Sequence, residues 1–148
     1  MENTVKSSYS NTMHMRNYWS SAGSASASDN ERLVYELAHP VCVVTSIGLS
    51  AVQAFWQEGR PVYAPRAVRV HLGLGPDRVH ATYTVEDVRQ VSGLQTWRLP
   101  VPVVASWMAL ELLGKPQRQP GDNLHYIALS YVGTRRARRA PTRAQCLR

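Results

Sequence analysis

Apolar and polar residues alternate most strictly between Ala67 and Val85. Val68, Val70, Leu72 and Leu74 are separated by Arg69, His71 and Gly73. The alternation resumes at Val79, Ala81, Tyr83 and Val85 after the short segment Gly75-Pro76-Asp77-Arg78. A period of two marks a strand with one buried face, and Pro and Asp supply turn chemistry between the two runs. The stretch therefore predicts a β-hairpin with Leu74 opposite Val79. Its other face carries Arg69, His71, His80, Thr82 and Thr84, and is polar and mildly basic. Trp97, Leu99 and Val101 also alternate, but Pro100 and Pro102 remove two backbone donors. That limits the segment to an edge strand or an extended linker. Leu124–Val132 predicts a last strand, with apolar groups on both faces as in a central strand.

Elsewhere the spacing is closer to helical. Ser28 or Asp29 suits an N-cap, and Leu33, Val34 and Leu37 share one face before Pro40. The seventeen uncharged residues from Pro40 to Trp56 place Val41, Val44, Gly48, Val52 and Phe55 at helical intervals. This predicts a buried helix with a β-like start at Val41–Val44; as a membrane span the run is at the lower limit of length. Thr84 and Asp87 resemble a capping pair for a short helix that ends at Gly93. The run Val103–Leu113 is apolar nearly all round, which predicts a deeply buried or interfacial helix stopped by Gly114 and Pro116. Together these elements predict an α+β fold: one small domain over residues 29–133, with a central antiparallel hairpin or sheet packed against apolar helices. A Ser/Asn-rich arm over residues 1–28 precedes it and reads as flexible and disordered. A basic tail over residues 134–148 follows it.

Charge sharpens this division. The chain carries 17 Lys+Arg against 10 Asp+Glu, a formal net charge of +7. Six of those cations are arginines within residues 135–148, a segment without acids. The remaining eleven cations face all ten acids, so the body is close to neutral. Arginine outnumbers lysine fifteen to two, and its planar fork suits phosphate and carboxylate. The two cysteines, Cys42 and Cys146, form neither a disulfide framework nor a zinc spacing.

Catalytic patterns are absent. There is no G-x-S-x-G, no Walker lysine, no H-E-x-x-H and no C-x-x-C. His71 with His80 across the hairpin and His39 with Cys42 are the two pairings with any chemical interest, and neither has an evident third group. No catalytic residue, metal ligand or cofactor is assigned. The tail is the strongest signal. Arg135, Arg136, Arg138, Arg139, Arg143 and Arg148 predict binding to polyanions, with Arg69 and Arg78 extending the track onto the hairpin. Trp107, Leu110, Tyr18 and Trp19 are the candidate anchors of a protein interface.

The expectation is a non-enzymatic assembly protein that self-associates and binds nucleic acid, RNA before DNA. A viral capsid, nucleocapsid or matrix component fits, as does a ribonucleoprotein subunit, in cytoplasm or virion, with nucleus and mitochondrion as other locations. The alternatives are a peripheral membrane or regulatory protein whose tail meets anionic lipid, and a small enzyme with a site near His71 and His80.

Overall fold

The computed structural model describes residues 3–4 and 18–136, the first pair as backbone only. Nine strands run in chain order: β1 (Asn3–Thr4), β2 (Trp19–Ser20), β3 (Glu31–Glu36), β4 (Cys42–Ala51), β5 (Ala67–Gly73), β6 (Val79–Val85), β7 (Gly93–Ala105), β8 (Trp107–Leu113) and β9 (Ala128–Arg136). They form a five-stranded sheet, β1-β3-β8-β5-β6, and a four-stranded sheet, β2-β9-β4-β7. All pairings are antiparallel except β1 with β3. The inner faces meet through Leu33, Val70, Leu72 and Leu110 on one side and Ile47, Leu49, Leu99 and Leu129 on the other. Each fully buried aliphatic side chain contributes about 1.5–3 kcal/mol, so these facing residues hold the layers together as a β-sandwich.

The α+β expectation is overturned, because no segment among the described residues is an α-helix. Two of the four predicted helices, those over β4 and β8, have a physical reason to look helical. In β4 the inward residues are Cys42, Val44, Ile47, Leu49 and Ala51. The register slips between Val44 and Ser46 against both neighbouring strands. That bulge inserts one residue and turns one interval of two into three, which imitates helical spacing. The same run is a sheet strand, so it makes no helical membrane span. β8 lies between β3 and β5 and is covered on both faces, with Ala109 fully buried on the outer side and Leu110 on the inner. Alternation is erased there, and Met, Ala, Leu and Glu are good helix formers by themselves. The predicted first helix is β3, where Leu33 packs inward against Leu110 across the ladder. The predicted Val85–Gly93 helix is the end of β6 followed by an extended connection, in which Val88 is the one buried residue after Val85. Gly93 does take a positive φ of 96°, but it opens β7 instead of capping a helix.

The hairpin is present as β5 and β6, but with a shifted register. A bulge between Leu72 and Gly73 puts Gly73 opposite Val79. Leu74 bonds to the Arg78 carbonyl instead (N···O 3.1 Å). β7 contains Pro100 and Pro102 and is an edge strand, as the missing donors require. β9 lies inside its sheet between β2 and β4, and runs on through Arg135 and Arg136.

Candidate functional site

The connections divide unequally between the two ends of the sandwich. One end has the short links 37–41 and 74–78 and the single residue Ser106. The other gathers the long ones: 21–30, 52–66, 86–92 and 114–127. Function in a sandwich concentrates on such loops, held by a rigid scaffold.

Segment 52–62 leaves β4 as a small hairpin of its own. Gln53 bridges Val62, the Ala54 amide donates to the Pro61 carbonyl at 2.8 Å, and Gln57 donates to the Ala54 carbonyl at 3.1 Å. Gly59 and Arg60 turn the chain in left-handed conformations, at φ 77° and 47°. Ala54 and Tyr63 anchor the hairpin base against Ala128. Its tip holds Phe55 at 52% exposure and Trp56 at 58%. Tyr18 stacks on Trp56, with ring centroids 6.3 Å apart and planes 24° from parallel. Polar groups surround this aromatic tip. The Tyr63 hydroxyl donates to Gln57 Oε1 at 2.5 Å, and the Tyr126 hydroxyl donates to Asp122. Asp122 also accepts from the Leu124 amide at 3.0 Å. The Tyr126 hydrogen bond, followed by that amide, holds the exposed Asp122 carboxyl below its ordinary value. An exposed aromatic surface beside fixed acceptors and donors is suited to a ligand with one apolar face and a polar rim.

The loops keep their places through a buried lysine. Lys115, at 1% exposure, reaches the Ala22 carbonyl at 3.0 Å, Ser24 Oγ at 2.7 Å and Glu31 Oε1 at 2.7 Å. Its own carbonyl accepts from His125 Nδ1 at 2.8 Å. One side chain thus ties segment 21–24 and the start of β3 to segment 114–127.

A second polar cluster lies on the outer face of the five-stranded sheet. Glu111 sits between Arg32 and Arg69 in the ladders, with Nη1–Oε distances of 3.5 and 3.2 Å. His71 Nε2 is 3.2 Å from Glu111 but makes no aligned hydrogen bond. Burial pushes the Glu111 carboxyl up; His71 and Arg69 outweigh this and hold it below its ordinary value. A shallow cavity of about 440 Å³ opens here, lined by Asn30, Arg32, Arg69 and Glu111 among others.

The residues singled out from sequence are dispersed. Tyr18 is at the aromatic tip, whereas Trp19 packs partly buried against the core. Leu110 is buried between the sheets, and Trp107 is nearly buried beside links 37–41 and 74–76. Arg69 is engaged with Glu111, and Arg78 is exposed in the hairpin turn at the short-loop end. Arg135 and Arg136 are in β9; Arg138, Arg139, Arg143 and Arg148 lie outside the described residues. His71 and His80 do not meet. His71 faces Thr82 at 3.1 Å, while His80 donates to the Val104 carbonyl at 2.6 Å, joining the edge strands β6 and β7. The Cys42 thiol is buried and directed at the His39 carbonyl (3.7 Å) instead of its imidazole. Trp56 and Phe55 were missed as site residues because they close an apolar run. The signal that separates them is the turn sequence Gly59-Arg60-Pro61 directly after them.

In fold, the chain is a sandwich of the kind found in family 32 carbohydrate-binding modules. It superposes on the CBM32 of AlyQ, solved in complex with 4,5-unsaturated mannuronic acid, with TM-score 0.55 and 13% identity over 84% of this chain and 81% of that one. It matches the family 32 module of C. perfringens NanJ, solved with galactose, at TM-score 0.55 and 11% identity over 82% and 78%. In sequence, it is similar to F-box protein At4g00755 of Arabidopsis thaliana, 30% identical over 141 residues. That match covers 78% of this chain, and the chain spans only 37% of the length of that relative. No protein-family model matches the chain.

These findings overturn the expectation of a nucleic-acid-binding capsid, nucleocapsid, matrix or ribonucleoprotein component. That reading needed an α+β body with apolar helices at subunit contacts, and the body is instead the sandwich of sugar-binding modules. The solved neighbours hold sugars, not nucleic acid. Neither the lipid-binding alternative nor the enzyme near His71 and His80 gains support.

Proposed function

We propose that the chain is a non-catalytic carbohydrate-binding module that takes its ligand at the long-loop end. The observation that carries this reading is the exposed aromatic tip, Trp56 stacked with Tyr18 and flanked by Phe55. A sugar ring has an apolar face of C–H groups and an equatorial rim of hydroxyls. The aromatic faces cover the former, and Asp122, Gln57 and the Tyr126 hydroxyl are the partners for the latter. Two neighbours of the same fold were solved with sugars, which supports the ligand class.

The test is a glycan-array screen followed by calorimetric titration of the best binder. Covering an exposed indole removes about 60 Å² of apolar surface from water, or about 1.5 kcal/mol, so Trp56→Ala should weaken binding about tenfold. Melting temperature should hardly change, because the side chain is largely exposed. Binding that survives Trp56→Ala undiminished, or an array without a single ligand, would refute the reading.

A further inference from the structure

The outer face of the four-stranded sheet carries a pattern that the loop-end site does not use. The register aligns three rows across β9, β4 and β7: Tyr131–Ser50–Leu94, Gly133–Gly48–Thr96 and Arg135–Ser46–Arg98. Their neighbours Ile47, Leu49 and Leu129 belong to the core, so these rows face outward.

The middle row carries a side chain only at Thr96, so across β9 and β4 it is a bare glycine floor. A Cβ on Gly133 would overlap the Tyr131 hydroxyl and lie 2.5 Å from its Cζ, so the ring lies down along the strand. A Cβ on Gly48 would come 3.1 Å from Leu94 and 3.6 Å from the Tyr131 ring. Tyr131 and Leu94 nevertheless remain 44% and 53% exposed. Below them, Arg135 and Arg98 are exposed on the two strands flanking β4, with backbones about 10 Å apart. Neither forms an ion pair among the described residues. None of β2, β4, β7 and β9 contains a single Asp or Glu. The strand acids are Glu31, Glu36 and Glu111, all on the five-stranded sheet.

An aromatic plane on a glycine floor, followed by two uncompensated guanidiniums, matches a ligand with both sugar faces and carboxylates. Tyr131 and Arg135 are four residues apart, about 13 Å along the strand, which is longer than one sugar ring. Tyr18 precedes the ladder pair Trp19↔Leu129 and so falls on the side opposite the inward Trp19, continuing this face toward Trp56. We propose that an extended acidic polysaccharide, a polyuronate, lies along this sheet from the Trp56–Tyr18 tip over Tyr131 to Arg98 and Arg135. The proposal rests on the glycan-binding reading for its ligand class and adds charge and chain length to it.

The experiment titrates the full chain with polygalacturonate, its methyl ester and a homopolymeric RNA of equal charge. The variants are Trp56→Ala, Tyr131→Ala and the double Arg98→Ala/Arg135→Ala. Polygalacturonate should bind more tightly than its ester or the RNA, and trimers should bind less tightly than longer chains. The double arginine variant should lose about tenfold toward polygalacturonate and nothing toward the ester, since each exposed charge contact is worth a few-fold. Tyr131→Ala should weaken both glycans. If it merely lowers the melting temperature, the ring serves sheet packing alone and the proposal fails. Polygalacturonate affinity within about twofold of parent in the double arginine variant also overturns it, as does equal affinity for RNA. In those cases a ligand still lost on Trp56→Ala leaves the loop-end reading standing. Binding that needs the arginines but not Trp56 would keep the sheet face and remove the loop end.

Discussion

Replacing Lys115 by Met tests whether the long-loop end depends on one buried charge. The methionine keeps the length and apolar contacts of the lysine stem and removes the ammonium. In the parent, Nζ is enclosed at 1% exposure and satisfied by Ala22 O, Ser24 Oγ and Glu31 Oε1. Without it, the Glu31 carboxylate, itself only 17% exposed, has lost its counter-charge. Breaking a buried pair on one side costs about 3–5 kcal/mol, because an uncompensated charge stays behind. Against a typical domain stability of about 5–15 kcal/mol that is a large fraction. For a body of this size it corresponds to a fall of roughly 10–20 °C in melting temperature. Urea denaturation gives the free energy directly, provided the slope with urea is unchanged. The double variant Lys115→Met/Glu31→Leu removes both charges and should regain most of the loss, since apolar replacement of a whole buried pair is often neutral. A single variant within about 1 kcal/mol of parent, or a double no better than the single, would refute the reasoning.

Two further outcomes concern the sheets. Glu111 titrates below its ordinary 4.5, so its contribution to stability is present above that pH and is lost as the pH falls through the folded value. Glu111→Gln should therefore flatten the decline of melting temperature below pH 4.5, and equal slopes in parent and variant would remove the cluster's role. At Gly73 a Cβ would strike the Arg78 carbonyl and lie 2.8 Å from Val79 Cα, both backbone atoms that cannot move aside. Gly73→Ala should cost about 1–3 kcal/mol in urea unfolding, while Gly75→Ala, with open space around it, should cost under about 0.5.

The sequence was legible where strands have one wet face. β5, β6 and the proline-bearing edge β7 alternate in plain view, whereas the predicted last strand, Leu124–Val132, meets β9 only from Ala128 to Val132 and is not covered on its outer face. It misled where alternation was broken or erased. In β4 a bulge shifts parity at Val44/Ser46, and in β8 both faces are covered. The β-branched content of β4, with Val43, Val44, Thr45 and Ile47 almost adjacent, argued for a strand against that spacing. Lys115 was invisible for another reason. A lysine in a polar loop is exposed by default, and what buries this one is Glu31, which is 84 residues away in the chain.

Bulk charge misled in a more instructive way. The first 134 residues, with eleven cations and ten acids, look electrostatically featureless, and attention passes to the arginine-rich tail. The fold separates what the sum cancels. Arg32 and Arg69 are spent on Glu111, and Lys115 on Glu31, all on or beside the five-stranded sheet. Arg98 and Arg135 have no carboxylate on their own sheet. At physiological salt, charges beyond about 8 Å are largely screened from one another. A ligand on either face therefore meets the local balance, not the molecular one. Arg98 comes from the near-neutral first 134 residues and Arg135 from the arginine-rich segment, and the fold brings both onto an acid-free sheet beside the exposed aromatic tip.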